Sequence, residues 1–248
     1  MTRSLPLSGK VALVTGGSRG IGAAVARRLA ADGAAILIAY RSDADAAQAV
    51  VDDLTATGTQ AASHAMDIAD PAACAALIRT CIDRYGRLDI LVNAAGVATY
   101  KPLAEADADH YHAIFGPNVL GTLSLTRAAA EVMETPGRIV HVSSRLAESP
   151  MPGTSVYAAS KAAVSALTLA LGQELGPKGI TINAVAPGLI ETDMTAAAVQ
   201  ERGEAIRTNT PLRRIGQPGD IAGIVAFLAS DDAGWITGRT IRADGGLL

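Results

Sequence analysis

Apolar residues fall along this chain in two alternating rhythms. Short runs rich in valine, isoleucine and alanine read as strands: Val11–Thr15, Ile36–Tyr40, Ala62–Met66, Leu88–Asn93, Arg138–Ser143, Thr181–Ala186 and Thr240–Arg242. The stretches between them carry apolar residues at helical spacing. Asp70–Gly86 is the clearest, with Cys74, Leu77, Ile78, Cys81, Ile82 and Tyr85 along one side. Asp70 suits an N-cap, Pro71 the first helical position and Gly86 the stop. This alternation predicts right-handed βαβ crossovers and hence an α/β fold, a doubly wound parallel seven-stranded sheet with helices on both faces. No repeat, low-complexity tract or linker interrupts the pattern, so one domain over residues 1–248 is expected.

Between the first strand and the first helix lies a loop with four glycines, within KVALVTGGSRGIGAAVARRLA (Lys10–Ala30). In a doubly wound sheet this turn aims backbone N–H groups at a pyrophosphate, and the helix adds its positive N-terminal end. Glycine is required where the chain turns tightly, where a Cβ would touch the ligand and where helix lies close to strand. Thr15, Gly16, Gly20 and Gly22 give the spacing T-G-x-x-x-G-x-G, which differs from the commoner G-x-G-x-x-G.

Arg19 within the loop and the residues after the second strand bear on which dinucleotide binds. An acidic residue there grips the ribose 2′-hydroxyl of NAD, whereas arginine suits the 2′-phosphate of NADP. Tyr40, Arg41 and Ser42 occupy that position, and Arg19 with Arg41 can clamp a dianion. The favoured cofactor is therefore NADP(H). Two solvated arginines are the plainer alternative, and Asp43 either starts the next helix or reaches a ribose.

Tyr157 and Lys161 stand four apart in a helical pattern, on one face. A phenol ordinarily titrates near ~10, too high for easy acid–base work at neutral pH, and a neighbouring ammonium lowers that value. A tyrosine–lysine pair thus supplies a proton donor and its tuning cation. Ser144 follows the predicted strand Arg138–Ser143, at the carboxyl edge of the sheet, where a hydroxyl can bind a carbonyl oxygen. Each feature alone has an ordinary explanation, as an amphipathic pair or a turn.

Together they identify a resemblance. Over essentially its whole length the chain resembles the short-chain dehydrogenase/reductase family. The match rests on TGGSRGIG at Thr15–Gly22, NAAG at Asn93–Gly96, Asn118, Ser144, YAASK at Tyr157–Lys161, PGLIET at Pro187–Thr192 and DGG at Asp244–Gly246. The resemblance implies a Rossmann fold and a tetrad of Asn118, Ser144, Tyr157 and Lys161. In that scheme Tyr157 protonates the carbonyl oxygen as hydride arrives and Ser144 orients that oxygen. Lys161 lowers the phenol pKa and holds the nicotinamide ribose, and Asn118 keeps a water linking Lys161 to solvent. It further implies a cofactor set of Gly16, Ser18, Arg19, Gly20, Ile21 and Gly22 in the loop and Tyr40, Arg41 and Ser42 after the second strand. Asp67 and Ile68 fall at the adenine, and Asn93, Ala94 and Gly96 along the cofactor. Pro187, Gly188, Ile190 and Thr192 belong to the same set, the last two at the carboxamide.

Two positions depart from the family pattern. Pro117 directly precedes Asn118 in a helix that the family kinks there, so it either reinforces the kink or displaces the amide. Arg145 follows Ser144 where relatives carry a small or apolar residue. It greets an acidic substrate group, pairs with Glu148 at i+3, or points to solvent. The expected substrate pocket comprises Thr99–Tyr100, Arg145–Met151 and the segment Glu191–Arg207, which includes Met194 and reads as a mobile lid.

Composition narrows the partners. The 248 residues are 49% apolar and 18% charged with net charge −3, which suits a globular core and argues against disorder. No basic cluster exists to neutralise nucleic-acid phosphates. MTRSLPLSGK has no apolar h-region, so no secretory leader is expected. The apolar run Ile221–Ala229 is too short for a bilayer, so no membrane partner is expected either. Cys74 and Cys81, about 10 Å apart along a helix, read as reduced thiols of a cytoplasmic protein. His110 and His112 face different sides of a helix, so no metal is expected; His64 and His141 read as packed.

Among relatives the pattern is most similar to 3-oxoacyl-carrier-protein reductases and related carbonyl reductases. An acidic carrier wants basic residues at the pocket mouth. Glu131, Glu134, Gln173 and Glu174 stand near it instead, with Arg138 and Lys178 the remaining cations. A free small-molecule carbonyl or alcohol is therefore the first expectation, and a carrier-linked acyl thioester the alternative. A non-catalytic NADP-binding scaffold is the third, and the intact Ser144, Tyr157 and Lys161 argue against it. The resemblance implies a homo-oligomer, tetramer or dimer, with Trp235 near subunit contacts.

Overall fold

Alternate residues of the first strand, β1 (Val11–Thr15), enter different cores: Ala12 and Val14 one, Val11 and Leu13 the other. β2 (Ala35–Tyr40) does the same, with Ile36 and Ile38 opposite Leu37 and Ala39. A strand apolar on both sides must be covered on both sides, which is why these runs lack a polar alternation. The computed structural model describes residues 5–247; residues 1–4, part of the stretch read for a leader, and residue 248 lie outside it.

The remaining strands are β3 (Ala61–Ala65), β4 (Ile90–Asn93), β5 (Gly137–Val142), β6 (Ile180–Pro187) and β7 (Thr240–Ala243). They form one parallel seven-stranded sheet in the order β3-β2-β1-β4-β5-β6-β7. All seven predicted strands are present; β1 matches at both ends and the others differ by one or two residues at one end or both. The largest shift is at β4, which starts at Ile90 rather than Leu88. There Asp89 accepts the Val11 backbone N–H at 2.9 Å and binds Arg87 through both oxygens.

One face is covered by α1 (Gly20–Ala31), α2 (Ala44–Ala56) and α8 (Pro218–Ala229), whose Leu29, Leu54 and Val225 share its core. The other carries α3 (Pro71–Tyr85), α5 (Thr122–Val132) and α6 (Ser155–Leu175). The α3 signals act as read: Asp70 accepts the Ala72 N–H, Pro71 opens the helix, and Gly86 ends it at φ 77°. Cys74 and Cys81 are buried and unbridged in that core. Asp43 starts α2 by accepting the Ala46 N–H.

Pro117 lies within the kink ahead of Asn118. Between α4 (Ala108–Phe115) and α5, residues Gly116–Gly121 widen into a π-turn, a form that accommodates a missing N–H and presents side chains out of helical phase. Gly121 brings this bend against the segment after β3: a Cβ there would lie 2.5 Å from the Ile68 carbonyl oxygen.

Ser155–Lys178, comprising α6 and the turn after it, is long and apolar enough by length and composition to cross a bilayer, which the reading of Ile221–Ala229 overlooked. Here α6 lies along β6 and α4, with Ser160, Lys161 and Thr168 among its buried residues.

Replacing Gly121 by alanine overpacks the bend. A loss of about 1–3 kcal/mol is expected, read as a thermal midpoint several degrees lower; an unchanged midpoint would refute the tight approach at Ile68.

Candidate active site

A cleft of about 650 Å³ runs along the carboxyl ends of the strands, centred where the order reverses between β1 and β4. Its floor is made by close backbone approach. Gly16 has φ +66°, and a Cβ on it would stand 3.0 Å from the backbone of Ala95. A Cβ on Gly22 would stand 2.2 Å from the Gly16 carbonyl oxygen, so α1 meets the loop only through glycine. Thr15 Oγ1 accepts the Ala95 N–H at 3.1 Å, tying the loop after β1 to the one after β4. Arg19 occupies the N-cap of α1 without a side-chain cap, so no capping side chain competes for the first-turn N–H groups.

Most of the expected cofactor residues converge here. Gly16, Ser18, Arg19, Gly20, Ile21 and Gly22 line one end with Tyr40, Arg41 and Ser42. Asp67, Ile68, Ala94 and Gly96 line the middle, and Pro187, Gly188, Ile190 and Thr192 the other side. Asn93 is the exception. It does not line the cleft, because it sits buried at the end of β4, its amide donating to Thr126 Oγ1 at 3.2 Å. Ala39, Met66 and Val97 also line the cleft, although the sequence pattern assigned none of them to it; Asp43, read as a helix start or a ribose ligand, and Thr195, inside the expected lid, line it too.

The fit to a pyridine dinucleotide is tested by what a side chain would block. A Cβ at Gly96 would come within 3.1 Å of Asn118 Oδ1 and 3.4 Å of Lys161 Nζ, so this position must stay open for the cleft to exist. The cradle, the uncapped N-terminus of α1 and the two arginines at its far end match a pyrophosphate with a further phosphate beyond it. The residues fit the group.

The reacting end is built by β5 and α6. Ser144 leaves β5 extended, and its Oγ accepts the Leu146 N–H at 3.1 Å. Ser143 Oγ donates to the Lys161 carbonyl at 2.9 Å, fixing the first turns of α6 to the strand end. Lys161 Nζ donates to the Val142 carbonyl at 2.8 Å and lies 6.0 Å from the Tyr157 ring centroid. Tyr100 meets Tyr157 edge-on, with centroids 5.7 Å apart.

Burial governs the electrostatics. The Tyr157 phenol is pushed up to about 12, chiefly by burial and secondarily by Tyr100, with a hydrogen bond to Ser144 opposing. Lys161 is lowered to about 8 by burial. The net shift of the phenol is therefore upward, with burial outweighing the other influences. Desolvation moves both groups toward neutrality, and the amine is engaged by a carbonyl rather than by the phenol. A neutral phenol beside a serine hydroxyl remains suited to giving a proton.

Asn118 is held more firmly than foreseen. Its Nδ2 donates to the Val97 carbonyl and to Ser160 Oγ, each at 3.0 Å, and its Oδ1 accepts the Val97 N–H at 2.9 Å. The side chain clamps the loop after β4 to α6. Ser160 was overlooked; a polar residue on the buried face of α6 was its signal.

Of the substrate-side residues, Met194 lines the cleft, whereas Arg145 and Met151 do not. Arg145 opens the short turn capped by Ser144, and Glu148, its suggested partner, lies 3.8 Å from Arg242. Arg138, counted among the basic residues available to a carrier, is buried and pairs with Asp231 at 3.2 Å. His141 is fully buried between Thr126 and Thr168, each at 3.0 Å, and burial drops its pKa to about 3. His110 is also buried, 3.2 Å from Thr99.

Comparison with known proteins adds the following. A family model described as enoyl-(acyl carrier protein) reductase matches residues 16–248. An uncharacterised oxidoreductase of Methylorubrum extorquens is 43% identical, covering 97% of this chain and 98% of that protein. A 3-oxoacyl-[acyl-carrier-protein] reductase of Synechocystis is 39% identical, covering 98% of each. A crystal structure of a short-chain dehydrogenase from Burkholderia cenocepacia in complex with NADP is similar at 42% identity and TM-score 0.93, covering 98% of this chain and 99% of that one.

The lowered Lys161 gives a pH signature. The unfolded lysine titrates near 10.5 and the folded one at about 8, so the unfolded chain binds the extra proton between those values. The burial penalty is full below pH 8 and fades as pH rises toward 10.5. Lys161→Met is therefore expected to gain stability over the wild type at pH 7, and the gap should narrow by pH 9–10 in denaturant titrations. A constant gap would contradict the burial of a titrating amine.

Proposed function

The chain belongs to the short-chain dehydrogenase/reductase family and is an NADP-dependent oxidoreductase, and from that premise we propose that it interconverts a small-molecule carbonyl and its secondary alcohol, with Tyr157 as general acid–base. The supporting observation is the convergence of Ser144, Tyr157 and Lys161 on the cleft that holds the glycine cradle. When bound, a nicotinamide cofactor would supply or accept the hydride. Ser144 Oγ orients the carbonyl oxygen, and the buried Tyr157 hydroxyl delivers the proton to it. Lys161, held to the end of β5, positions the ribose end of the cofactor and supplies charge as its proton is exchanged. Asn118 acts through position, locking the Val97 loop that borders the cleft, and the water link to solvent completes the role the family pattern gives it. Arg19 and Arg41 receive the 2′-phosphate.

A free ketone, quinone or CoA-linked substrate fits the surroundings better than a docked carrier protein, because burial of Arg138 removes one of the two basic candidates. The carrier-linked thioester stays as the second reading, supported by the Synechocystis relative. Residues 191–207 act as the lid: Gly203 is the sole buried residue of α7 (Ala196–Asn209), so little packing opposes its motion. Exposed Leu120, Leu123 and Leu169 on one side of the sheet, and Phe227 on the other side together with Trp235, are the apolar positions offered for homo-oligomer contacts. The two unbridged thiols suit a cytoplasmic setting.

NADPH consumption measured with acetoacetyl thioesters, simple ketones, diketones and quinones should favour a free carbonyl compound. A strong preference for the carrier-linked thioester selects the second reading, and cofactor binding without turnover on any of them selects a scaffold. Tyr157→Phe should lower kcat by about 10²–10⁴-fold while leaving NADPH binding within twofold; substantial residual turnover would refute the assignment of the acid.

A further inference from the structure

Among the charged side chains on the cleft, Asp43 stands where an anion is expected to bind. It lines the cleft beside Arg41 and Ser42 and divides its two oxygens between two tasks. Oδ1 accepts the Ala46 N–H at 3.0 Å and caps α2. Oδ2 lies 3.9 Å from Arg19 Nη1, with both side chains roughly half exposed, at 62% for Arg19 and 45% for Asp43. Arg19 and the start of α2 thus already face a carboxylate.

We propose that Asp43 is an internal counter-anion at the 2′-phosphate position, which weakens NADP(H) binding and holds discrimination against NAD(H) below what Arg19 and Arg41 alone would give. The inference rests on the placing of the 2′-phosphate at those arginines. A phosphate dianion there meets a fixed negative charge and has to draw Arg19 away from it. An exposed pair at this distance is weak and yields readily, so the carboxylate moderates binding without preventing it. An unphosphorylated ribose carries no charge to repel and does not need Arg19, so NAD(H) escapes the penalty. α2 would still be capped by asparagine, which serves at N-caps as well as aspartate. Asp45, also in the first turn of α2, does not line the cleft and provides the control for net charge.

The test is calorimetric titration of the whole protein with adenosine 2′,5′-bisphosphate and with 5′-AMP, for the wild type, Asp43→Asn and Asp45→Asn. The wild type should prefer the bisphosphate. Asp43→Asn should bind it about threefold to tenfold more tightly with AMP affinity within twofold and an unchanged thermal midpoint, and the gain should shrink at high salt. An equal gain in Asp45→Asn would reduce the effect to net charge and overturn the proposal, as would an unchanged bisphosphate affinity in Asp43→Asn. Weaker AMP binding without a bisphosphate gain would make Asp43 a ribose ligand and overturn it too. If none of the three proteins prefers the bisphosphate, the arginine placement fails first and the proposal with it.

Discussion

The contact on which the cleft depends is one between backbones. At Gly22 a Cβ would stand 2.2 Å from the Gly16 carbonyl oxygen, and at Gly16 one would stand 3.0 Å from the backbone of Ala95. α1, the loop after β1 and the loop after β4 therefore close on each other at glycine, with the Thr15 hydroxyl accepting the Ala95 N–H beside the contact. Any larger residue forces the helix away from the strand end, and with it the first-turn N–H groups that make the site attractive to phosphate. Parallel pairing of β1 with β4, Thr15 opposite Asn93, puts these two loops side by side.

At the other end of the cleft the governing term is desolvation. Ser143, Val142 and Asn118 attach the start of α6 to the ends of β4 and β5, and that attachment buries Lys161. Burial drives the amine down and the phenol up, both toward the neutral form. The same anchoring that gives the reacting groups their places thus also sets their charge.

The substrate side is built on different terms. Met194 and Tyr100 are more than half exposed, and α7 contributes a single buried residue to the body. Rigid sheet ends carry most of the cleft, while α7 beside it is lightly packed, the usual division between a fixed scaffold and a variable edge.

The strands, the α3 caps, the glycine cradle and the Ser144–Tyr157–Lys161 set were legible in the sequence because each is a local signal: a period of two or 3.6, a capping residue, or a fixed spacing whose geometry the chain itself carries. What the tertiary structure decided depends on residues far apart in sequence. Asn93 appeared beside the cofactor by motif, yet the π-turn and α5 bring Thr126 to its amide and turn it inward. Arg138 looked like a surface cation, yet it is buried and donates to the Ser230 carbonyl and to Asp231, more than ninety residues on. The direction of the Tyr157 shift could not be read from a neighbouring lysine, since desolvation depends on everything packed around the phenol. Spacing along the chain sets which groups are available; burial and the partners supplied by distant segments set their charge and where they point.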